Sequence, residues 1–323
     1  MSSPPFEISP PDLTPWLAGN TGTAGVWRFA AKAPGRHVLV TALVHGNEIC
    51  GAWALRDWLE AGVRPRRGTL TLAFANLDAF SRFDPAQPHA SRFVHTDMNR
   101  LWGDMPWRHA SAGTGSEHQR VLELLPHVNA SDWLLDLHSM HEPGPPLGMV
   151  GPLHHHARIA KGLELDALLI ADQGHRAGVR LRDHAKYGDA LAHDAFALLV
   201  ECGFHGASDS IHVARDVMAR FLTLSGVVDA GDVPKGWRRA SPQQAAPLLE
   251  VTHAVTVAPG EAPRFTQGWR CGDLVEKAGT VIGWNAEVAV STPYDQCVLV
   301  MPTLMHATPG ATLVRLARKR EVA

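Results

Sequence analysis

The stretch VLVTALVHGNEICG, residues 38–51, joins a β-branched apolar run to a short polar turn. The run predicts a buried strand of a parallel sheet, because such strands are apolar on both faces. The turn places His45 and Glu48 three residues apart, directly after the strand. In a chain of 323 residues with 19 histidines, a His-x-x-Glu pair alone is weak evidence for a metal site. Residues in other segments are needed to distinguish a polar strand end from a pair of metal ligands.

Short apolar runs alternate with segments of helical period from residue 37 to about residue 225. This alternation predicts an α/β fold with a mixed, largely parallel sheet flanked by helices. The predicted strands lie in 37–44, 69–76, 132–140, 165–172 and 196–204, and the predicted helices in 51–62, 116–128 and 210–228. Sheets of this kind carry their chemistry at the carboxyl ends of the strands.

The periodic pattern ends at GDVPKGWRRASPQQAAP, residues 231–247, where proline, glycine and charge predominate. We therefore predict an α/β catalytic domain over residues 1–240 and a small all-β, barrel-like domain over residues 241–323. The stretch ARKR, residues 317–320, is expected to be a solvated tail.

Composition excludes several classes of function. Hydrophobic residues make up 45% of the chain and charged residues 19%, which is typical of a folded protein with a sizeable core. A net charge of −2 provides no field that would attract nucleic acid or an anionic membrane. The four dispersed cysteines and the absence of a signal-like or long apolar segment predict reduced thiols in a cytoplasmic protein. The oligomeric state stays open.

Three predicted strands deliver the residues that a metal hydrolase requires. His45 and Glu48 follow the first, His138 ends the DWLLDLH run, and Glu201 ends FALLVE. A catalytic zinc takes three protein ligands and keeps one position open, so His45, Glu48 and His138 predict one Zn²⁺ per chain. Another divalent ion remains an alternative, although the ligand set suits zinc. Glu201 is then free to act as the general base toward the attacking water.

Each of these residues has a commoner explanation when it is taken alone. A single histidine such as His138 is usually a hydrogen-bonded core residue, whereas a carboxylate such as Glu201 at a buried strand end is costly unless it is paired or functional. Asp136 would orient the imidazole of a ligand. Gly46 is expected to take backbone angles that are closed to other residues.

The irregular loop SRFVHTDMNR, residues 91–100, contains Arg92, Asp97, Asn99 and Arg100. Arginine binds carboxylates through two parallel hydrogen bonds, and asparagine adds a donor and an acceptor. The simpler explanation is that the arginines are solvated and that Asp97 pairs with one of them. The functional interpretation predicts an anion pocket and a substrate that carries a carboxylate.

Four segments resemble the signature segments of one family in their order along the chain. HGNE, DMNR, DLHS and VECG are similar to those of the succinylglutamate desuccinylase/aspartoacylase family, a branch of the zinc-carboxypeptidase-like hydrolases. The resemblance covers about residues 37–225, and the β-rich end is also similar. It implies zinc ligation by His45, Glu48 and His138, acid/base catalysis by Glu201, carbonyl polarisation by Arg92, and substrate binding by Asn99, Arg100 and Tyr294.

The chain also departs from the aspartoacylase pattern. A further arginine of that pattern, about ten residues before the catalytic glutamate, would hold a side-chain carboxylate, but Leu191 stands there. Arg180 or Arg182 would be its substitute, and the acyl group and amino acid stay open. The triplet His154–His156 is expected in a solvated loop or at a pocket rim, while His141 and His205 flank the site.

The expected function is hydrolysis of the amide bond of a small N-acyl amino acid. A zinc carboxypeptidase acting on short peptides is the alternative within enzymes. A non-catalytic carrier or binding protein is the other class, because CGDLVEKAGTVIGW, residues 271–284, is similar to biotinyl and lipoyl domains. Those domains need a lysine at a hairpin tip, and the hairpin-like VLVMPTLM has none. No binding of nucleic acid or membrane is expected.

Overall fold

The computed structural model describes residues 5–105, 115–174, 177–244, 246–305 and 307–321. Its helices are α1 (Ile49–Glu60), α2 (Leu77–Phe80), α3 (Ser116–Ala130), α4 (His154–Lys161) and α5 (Ser208–Ser225). Its strands are β1 (Val26–Ala30), β2 (Ala33–Ala42), β3 (Arg67–Phe74), β4 (Trp133–Met140), β5 (Leu147–Val150), β6 (Leu168–Ala171), β7 (Phe196–Phe204), β8 (Leu248–Thr256), β9 (Arg264–Phe265), β10 (Leu274–Val275), β11 (Val281–Asn285), β12 (Val288–Ser291), β13 (Cys297–Val300) and β14 (Thr312–Arg320).

One mixed sheet organises the described residues. Its eleven strands run in the order β1-β3-β2-β4-β7-β5-β6-β8-β14-β13-β10. The neighbours β3, β2, β4 and β7 are parallel to one another, and β5 enters antiparallel to β7. The expectation of an α/β fold with a mixed, largely parallel sheet is confirmed for this part of the sheet.

The apolar strands are covered on both faces, which is why they read as continuous hydrophobic runs. One face packs against α1, α4 and α5 around Val40, Leu135 and Leu198. The other face packs against α3 around Leu39 and Leu134. Burial on both sides fixes the register of β2 and β4, so the polar residues near their carboxyl ends have defined positions.

The C-terminal strands extend the same sheet. β6 pairs in parallel with β8, and β14, β13 and β10 continue in antiparallel fashion. A separate three-stranded sheet contains β12, β11 and β9. The change of composition near residue 240 is therefore not a break in the main sheet, and the division into two domains stays a prediction.

The expectation of a solvated tail at ARKR is wrong. These residues belong to β14, where Ala317 pairs with Val251 and Arg318 with Glu250. Ala317 is fully buried. Pairing with β8, which lies more than 60 residues earlier, determines this structure and leaves no local signal in the sequence.

The strand ends differ in detail from the prediction. β2 ends at Ala42, whereas His138 and Glu201 lie inside β4 and β7 as directly opposed partners. The positive φ of the first turn belongs to Leu43, at 63°, and not to Gly46. Gly46 is required for another reason, because a Cβ there would lie 2.4 Å from the Ala79 carbonyl carbon.

Two further findings concern the described residues. Cys50, Cys202, Cys271 and Cys297 are free thiols. In the part of the chain that the structure describes, no helix has the length and apolar content that crossing a membrane requires.

Candidate active site

Three side chains from two segments, the turn after β2 and strand β4, converge near the carboxyl end of β2. The possible ligand atoms of His45, Glu48 and His138 all lie within 4.8 Å of one another, and all three residues are buried. His45 Nδ1 lies 2.7 Å from Glu48 Oε1, and His138 Nδ1 lies 2.6 Å from Glu48 Oε2. The structure thus brings together the three residues predicted to bind a metal.

The outer nitrogen of each imidazole faces a second carboxylate. His45 Nε2 lies 2.9 Å from Asp97 Oδ1, and His138 Nε2 lies 2.8 Å from Asp136 Oδ2. Asp136 is itself held by a 2.6 Å hydrogen bond from the Thr41 hydroxyl. A carboxylate behind the imidazole is the usual arrangement for a metal-binding histidine, because it fixes the tautomer and the ring orientation.

Each ring nitrogen of His45 and His138 faces a carboxylate oxygen, from Asp97 or Asp136 on the outer side and from Glu48 on the inner side. In the tautomer that a metal ligand at Nδ1 requires, the proton lies on Nε2 and is donated to the outer carboxylate. Arg92 Nη2 also lies 2.9 Å from His45 Nε2. A guanidinium nitrogen only donates, so Arg92 and Asp97 Oδ1 compete for His45 Nε2, while the same Arg92 Nη2 also donates to Asp97 Oδ2 at 3.2 Å.

The inner Nδ1 atoms consequently present electron pairs to the carboxylate of Glu48. Three electron-pair donors facing one another are satisfied only by cations, either protons or a shared metal ion. Burial by itself lowers the pKa of His138, but Asp136 and Glu48 raise it well above its usual range. The same negative field attracts a divalent cation, so the residues present fit a zinc site.

Arg92 reaches this cluster from the irregular loop. Its Nη1 lies 3.3 Å from Glu48 Oε1, and its Nη2 lies 3.2 Å from Asp97 Oδ2. The Arg92 carbonyl accepts a 3.1 Å hydrogen bond from the amide of Gly46, which ties the loop to the first turn. A guanidinium is thereby held at the edge of the proposed metal centre.

Glu117 anchors this loop, and sequence reasoning missed it. Its fully buried carboxylate accepts hydrogen bonds from the backbone amides of Val94, His95 and Thr96, at 2.6, 3.1 and 3.3 Å. In the sequence, Glu117 is a glutamate in the first turn of α3 and resembles the acidic residue with which many helices begin.

Glu201 lies beside the cluster on the neighbouring strand. Its Oε2 is buried and has no hydrogen-bond partner among the described residues. Burial, and then the negative charge of Glu48, raises the pKa of Glu201 to about 8. A carboxyl group with a pKa near neutrality and an unpaired oxygen is suited to accept and return a proton.

These groups open into one cavity of about 720 Å³. Asn99 and Arg100 line it together with the residues above. The Asn99 side-chain oxygen accepts a 2.9 Å hydrogen bond from the Leu181 amide, and Arg100 Nη2 lies 3.7 Å from Asp97 Oδ2. The C-terminal strands and turns close the opposite side through Trp269 and Met301, among others.

Tyr294 is not brought to this cavity. Its hydroxyl pairs with Thr252 Oγ1 at 2.7 Å, and its ring packs against the cluster that contains Val275 and Ile282. Among the described residues, those that line the cavity do not include Tyr294. Its predicted substrate contact therefore finds no support in the geometry.

The remaining histidines separate into two groups. His141 and His205 line the cavity, and His205 is buried, with Nδ1 2.8 Å from Ser139 Oγ. The expectation of a loop or rim for the His154–His156 triplet is wrong, because these residues form the first turn of α4. His156 is buried, and its Nε2 donates a 2.9 Å hydrogen bond to the Ala195 carbonyl.

Arginines from other segments of the chain also line the cavity. Leu191, at the position of the missing family arginine, is 83% exposed. Arg180 and Arg315 line the cavity, whereas Arg182 is not among its lining residues. Arg315 lies on β14, and no motif of the sequence pointed to it.

Comparison with known proteins agrees with this geometry. Residues 34–192 match the model of the succinylglutamate desuccinylase/aspartoacylase catalytic domain. Over these residues, just under half of its length, the chain is similar to the succinylglutamate desuccinylase/aspartoacylase family. The resemblance inferred from the four sequence segments is thus confirmed, and the matched range contains His45, Glu48 and His138.

Solved structures of this family share the fold. A succinylglutamate desuccinylase/aspartoacylase from Rhodobacter sphaeroides is 17% identical with a TM-score of 0.64, covering 92% of this chain and 89% of the other. A succinylglutamate desuccinylase from Vibrio cholerae is 14% identical with a TM-score of 0.61, covering 92% and 86%. The product-bound ectoine utilization protein EutE (DoeB) from Ruegeria pomeroyi is 15% identical with a TM-score of 0.57, covering 90% and 87%. No curated protein sequence matches the chain significantly.

Proposed function

We propose that this protein is a zinc-dependent amidohydrolase that removes the acyl group from a small N-acyl amino acid. The observation that carries the proposal is the convergence of His45, Glu48 and His138 beside the unpaired carboxyl of Glu201. The similarity of residues 34–192 to the succinylglutamate desuccinylase/aspartoacylase catalytic domain supports the same reaction class.

His45, Glu48 and His138 would hold one zinc ion, which supplies Lewis acidity toward the substrate carbonyl and makes a coordinated water more acidic. Asp97 and Asp136 hold the outer nitrogens of the two imidazoles, so that both inner nitrogens keep their direction. The rings therefore need little reorganisation when the substrate arrives.

Glu201 is assigned the proton transfers. Its free Oε2 takes a proton from the attacking water and returns it to the departing amine, so no charge accumulates over the cycle. The pKa of about 8 caused by burial fits both directions of transfer. Positioning inside β7, directly opposite His138, keeps the carboxyl within reach of the same reaction centre.

The arginines of the loop bind the substrate. Arg92, held against Glu48 and Asp97, donates to the carbonyl oxygen on which negative charge develops. Arg100 and the side-chain amide of Asn99 bind the carboxylate of the amino acid, because both line the cavity from one turn.

The test is amine release from a panel of N-acetyl, N-succinyl and N-formyl amino acids and tripeptides by zinc-loaded protein. The proposal expects turnover of an acylated amino acid that exceeds turnover of any tripeptide. Glu201→Gln provides the control for contaminating hydrolases. Faster cleavage of tripeptides would favour a carboxypeptidase, and no turnover in the presence of stoichiometric zinc would refute the substrate class.

A further inference from the structure

His205 is a buried histidine of the cavity wall to which the proposed mechanism assigns no role. The residue is 1% exposed, and its backbone amide donates a 2.8 Å hydrogen bond to the Met140 carbonyl. Its Nδ1 lies 2.8 Å from Ser139 Oγ, whereas its Nε2 is buried and has no hydrogen-bond partner among the described residues. Leaving a buried polar atom unpaired is costly, so a ligand that supplies the missing partner is bound favourably.

An irregularity in β7 turns His205 toward Ser139. The register between β4 and β7 shifts by one residue, because three steps from Glu201 to Phe204 correspond to two steps along β4. Gly203 lies in this interval and has a φ of 106°, which favours glycine. Side chains alternate between the faces of a strand, so the additional residue moves His205 to the face of Ser139 and away from that of Glu201. Bulges beside active sites commonly re-aim a side chain in this way.

The hydrogen bond with Ser139 decides which nitrogen of His205 carries the proton. Burial lowers the pKa of His205 to about 3, so the imidazole is neutral and holds a single ring proton. With that proton on Nδ1, the Ser139 hydroxyl would lack an acceptor in the described part of the chain, and Nε2 would lack a donor. With the proton on Nε2, the hydroxyl donates to Nδ1 and only the Nε2 hydrogen stays unpaired. The second arrangement leaves fewer buried groups unpaired, so Nε2 is assigned as a donor.

His205 and the loop that binds the amino-acid carboxylate lie on opposite faces of the sheet. The Asn99 side chain accepts from the Leu181 amide, and Leu181 packs in the cluster on the α3 face. Leu137 of β4 packs in the cluster on the α1 and α5 face, and Ser139 continues its alternation beside His205. The reaction centre lies between the two faces at the strand ends. A substrate whose carboxylate is bound at Asn99 would therefore direct its acyl group toward His205.

The surroundings of His205 adjoin the metal centre and are polar. The Ser139 amide donates to Glu48 Oε2 at 3.3 Å, so the residue that orients His205 also contacts a proposed ligand. The ring centroid of His89 lies 6.3 Å from that of His205, and both His89 and His141 lower the pKa of His205. All three histidines line the cavity. Such a wall suits an acyl chain that carries a polar atom better than a pure hydrocarbon chain.

We propose that His205 binds the acyl group of the substrate by donating its Nε2 hydrogen to an acyl-chain oxygen other than the scissile carbonyl. This inference rests on the proposed function and narrows its substrate class to N-acyl amino acids whose acyl chain carries an acceptor oxygen. Because the donor is neutral, a keto or hydroxyl oxygen satisfies it and a negative charge is not required. Ser139 is a positioning residue that fixes the ring and its tautomer.

Two matched pairs of compounds test this preference. N-glycoloylglutamate is compared with N-acetylglutamate, and N-(4-oxopentanoyl)glutamate with N-pentanoylglutamate. Each pair adds one neutral oxygen, at a different distance from the scissile carbonyl. The quantity to measure is the ratio of kcat/KM within a pair. The shared glutamate cancels in this ratio, as does the fraction of folded or zinc-loaded enzyme.

The wild-type protein should prefer the oxygen-bearing member of at least one pair by about 10- to 100-fold, because the other member leaves a buried donor unpaired. His205→Phe should reduce that ratio to near one, and His205→Gln should keep part of it because its amide still donates. Ser139→Ala should lower the ratio less than His205→Phe does. His212→Phe is the matched control, since His212 is exposed on α5, and it should leave the ratio unchanged.

Nitrogen NMR of the imidazole rings tests the assigned tautomer without any substrate. Spectra of the wild type and of His205→Gln identify the signals of His205 by difference. A neutral ring protonated at Nε2 is expected at neutral pH. A ring protonated at Nδ1, or at both nitrogens, would overturn the inference.

Binding of the same four compounds is measured in parallel by titration calorimetry. If none of them is hydrolysed, the deacylase function fails, whereas tighter binding of an oxygen-bearing member that His205→Phe abolishes still supports the role of His205. Equal cleavage and equal binding within both pairs would overturn that role. It would also be wrong if His205→Phe slowed all four compounds by the same factor and left both ratios unchanged.

Discussion

The two ends of the cavity are built in different ways. At the metal end, Glu48 faces His45 and His138, and both outer nitrogens face a carboxylate. At the arginine end, Arg180 and Arg315 share Asp172, and each has a buried nitrogen without a hydrogen-bond partner among the described residues. One end is rich in negative charge and the other in positive charge.

The two ends are therefore suited to ligands of opposite charge. A metal site needs converging electron pairs held by a rigid shell of hydrogen bonds. A carboxylate site needs guanidinium donors that are held but not fully satisfied, because a fully paired arginine has no donor left. The predictions below concern the metal end first and then a histidine outside the cavity.

Glu201→Gln should have the largest effect on activity. The amide cannot accept the proton, so kcat should fall by about 10²- to 10⁴-fold while KM and zinc content stay nearly unchanged. Glu142→Gln is the matched control, because Glu142 lines the cavity and accepts a hydrogen bond from Thr303. Steady-state kinetics and metal analysis on both variants make the comparison, and normal activity in Glu201→Gln would refute its role.

Arg92→Ala should lower kcat by about 10²- to 10³-fold, the usual loss for a donor to a developing oxyanion. Arg92→Lys should recover part of this loss because it keeps the positive charge. Zinc content must be followed in both variants, since Arg92 also contacts Glu48. A change confined to KM would assign Arg92 to binding alone.

Asp136→Asn should weaken zinc affinity by about 10- to 100-fold without changing the ligands themselves. Competition with a chromogenic chelator measures the affinity. Asp132→Asn is the control, because Asp132 lies just before the same strand and its side chain accepts a 2.8 Å hydrogen bond from the His37 amide. Equal affinities in both variants would show that the carboxylate behind His138 is unimportant.

His156 lies outside the metal end and the arginine end of the cavity. Replacing it should change the stability of the protein rather than its catalysis. Burial lowers the pKa of His156 to about 4, whereas an unfolded histidine has a pKa of about 6.5. The unfolded state therefore gains a proton first, and the free energy of unfolding should fall by about 3 kcal/mol as pH falls from about 6.5 to 4. Urea unfolding at several pH values should show a smaller loss in His156→Gln, and an identical pH dependence would contradict this account.

Much of the metal end was predictable from the sequence because the signals are local. Apolar runs flanked by polar residues identified β2, β4 and β7, and the residues at their ends identified His45, His138 and Glu201. Parallel pairing then brings such ends to one edge of a sheet without any further information.

The arginine end was predictable only in part, because Arg180 was a candidate from the sequence whereas its meeting with Arg315 depends on contacts between distant segments. Arg315 reaches the cavity because β14 pairs with β8. Nothing in the sequence indicated this pairing, since ARKR just after Arg315 was predicted to be a solvated tail. Arg180 is positioned by the bridge between Leu101 and Val179. Tyr294 illustrates the reverse case, in which family resemblance suggested a contact that the packing of the C-terminal strands does not provide.

The most direct test of the central claim is zinc stoichiometry in metal-depleted and reloaded protein. Elemental analysis should find one zinc per chain in the wild type and in Glu201→Gln, and much less than one in His138→Ala after identical dialysis. Thermal unfolding should confirm that His138→Ala is folded. A full zinc equivalent in folded His138→Ala, or none in the wild type, would contradict the assignment of His45, Glu48 and His138 as the metal site.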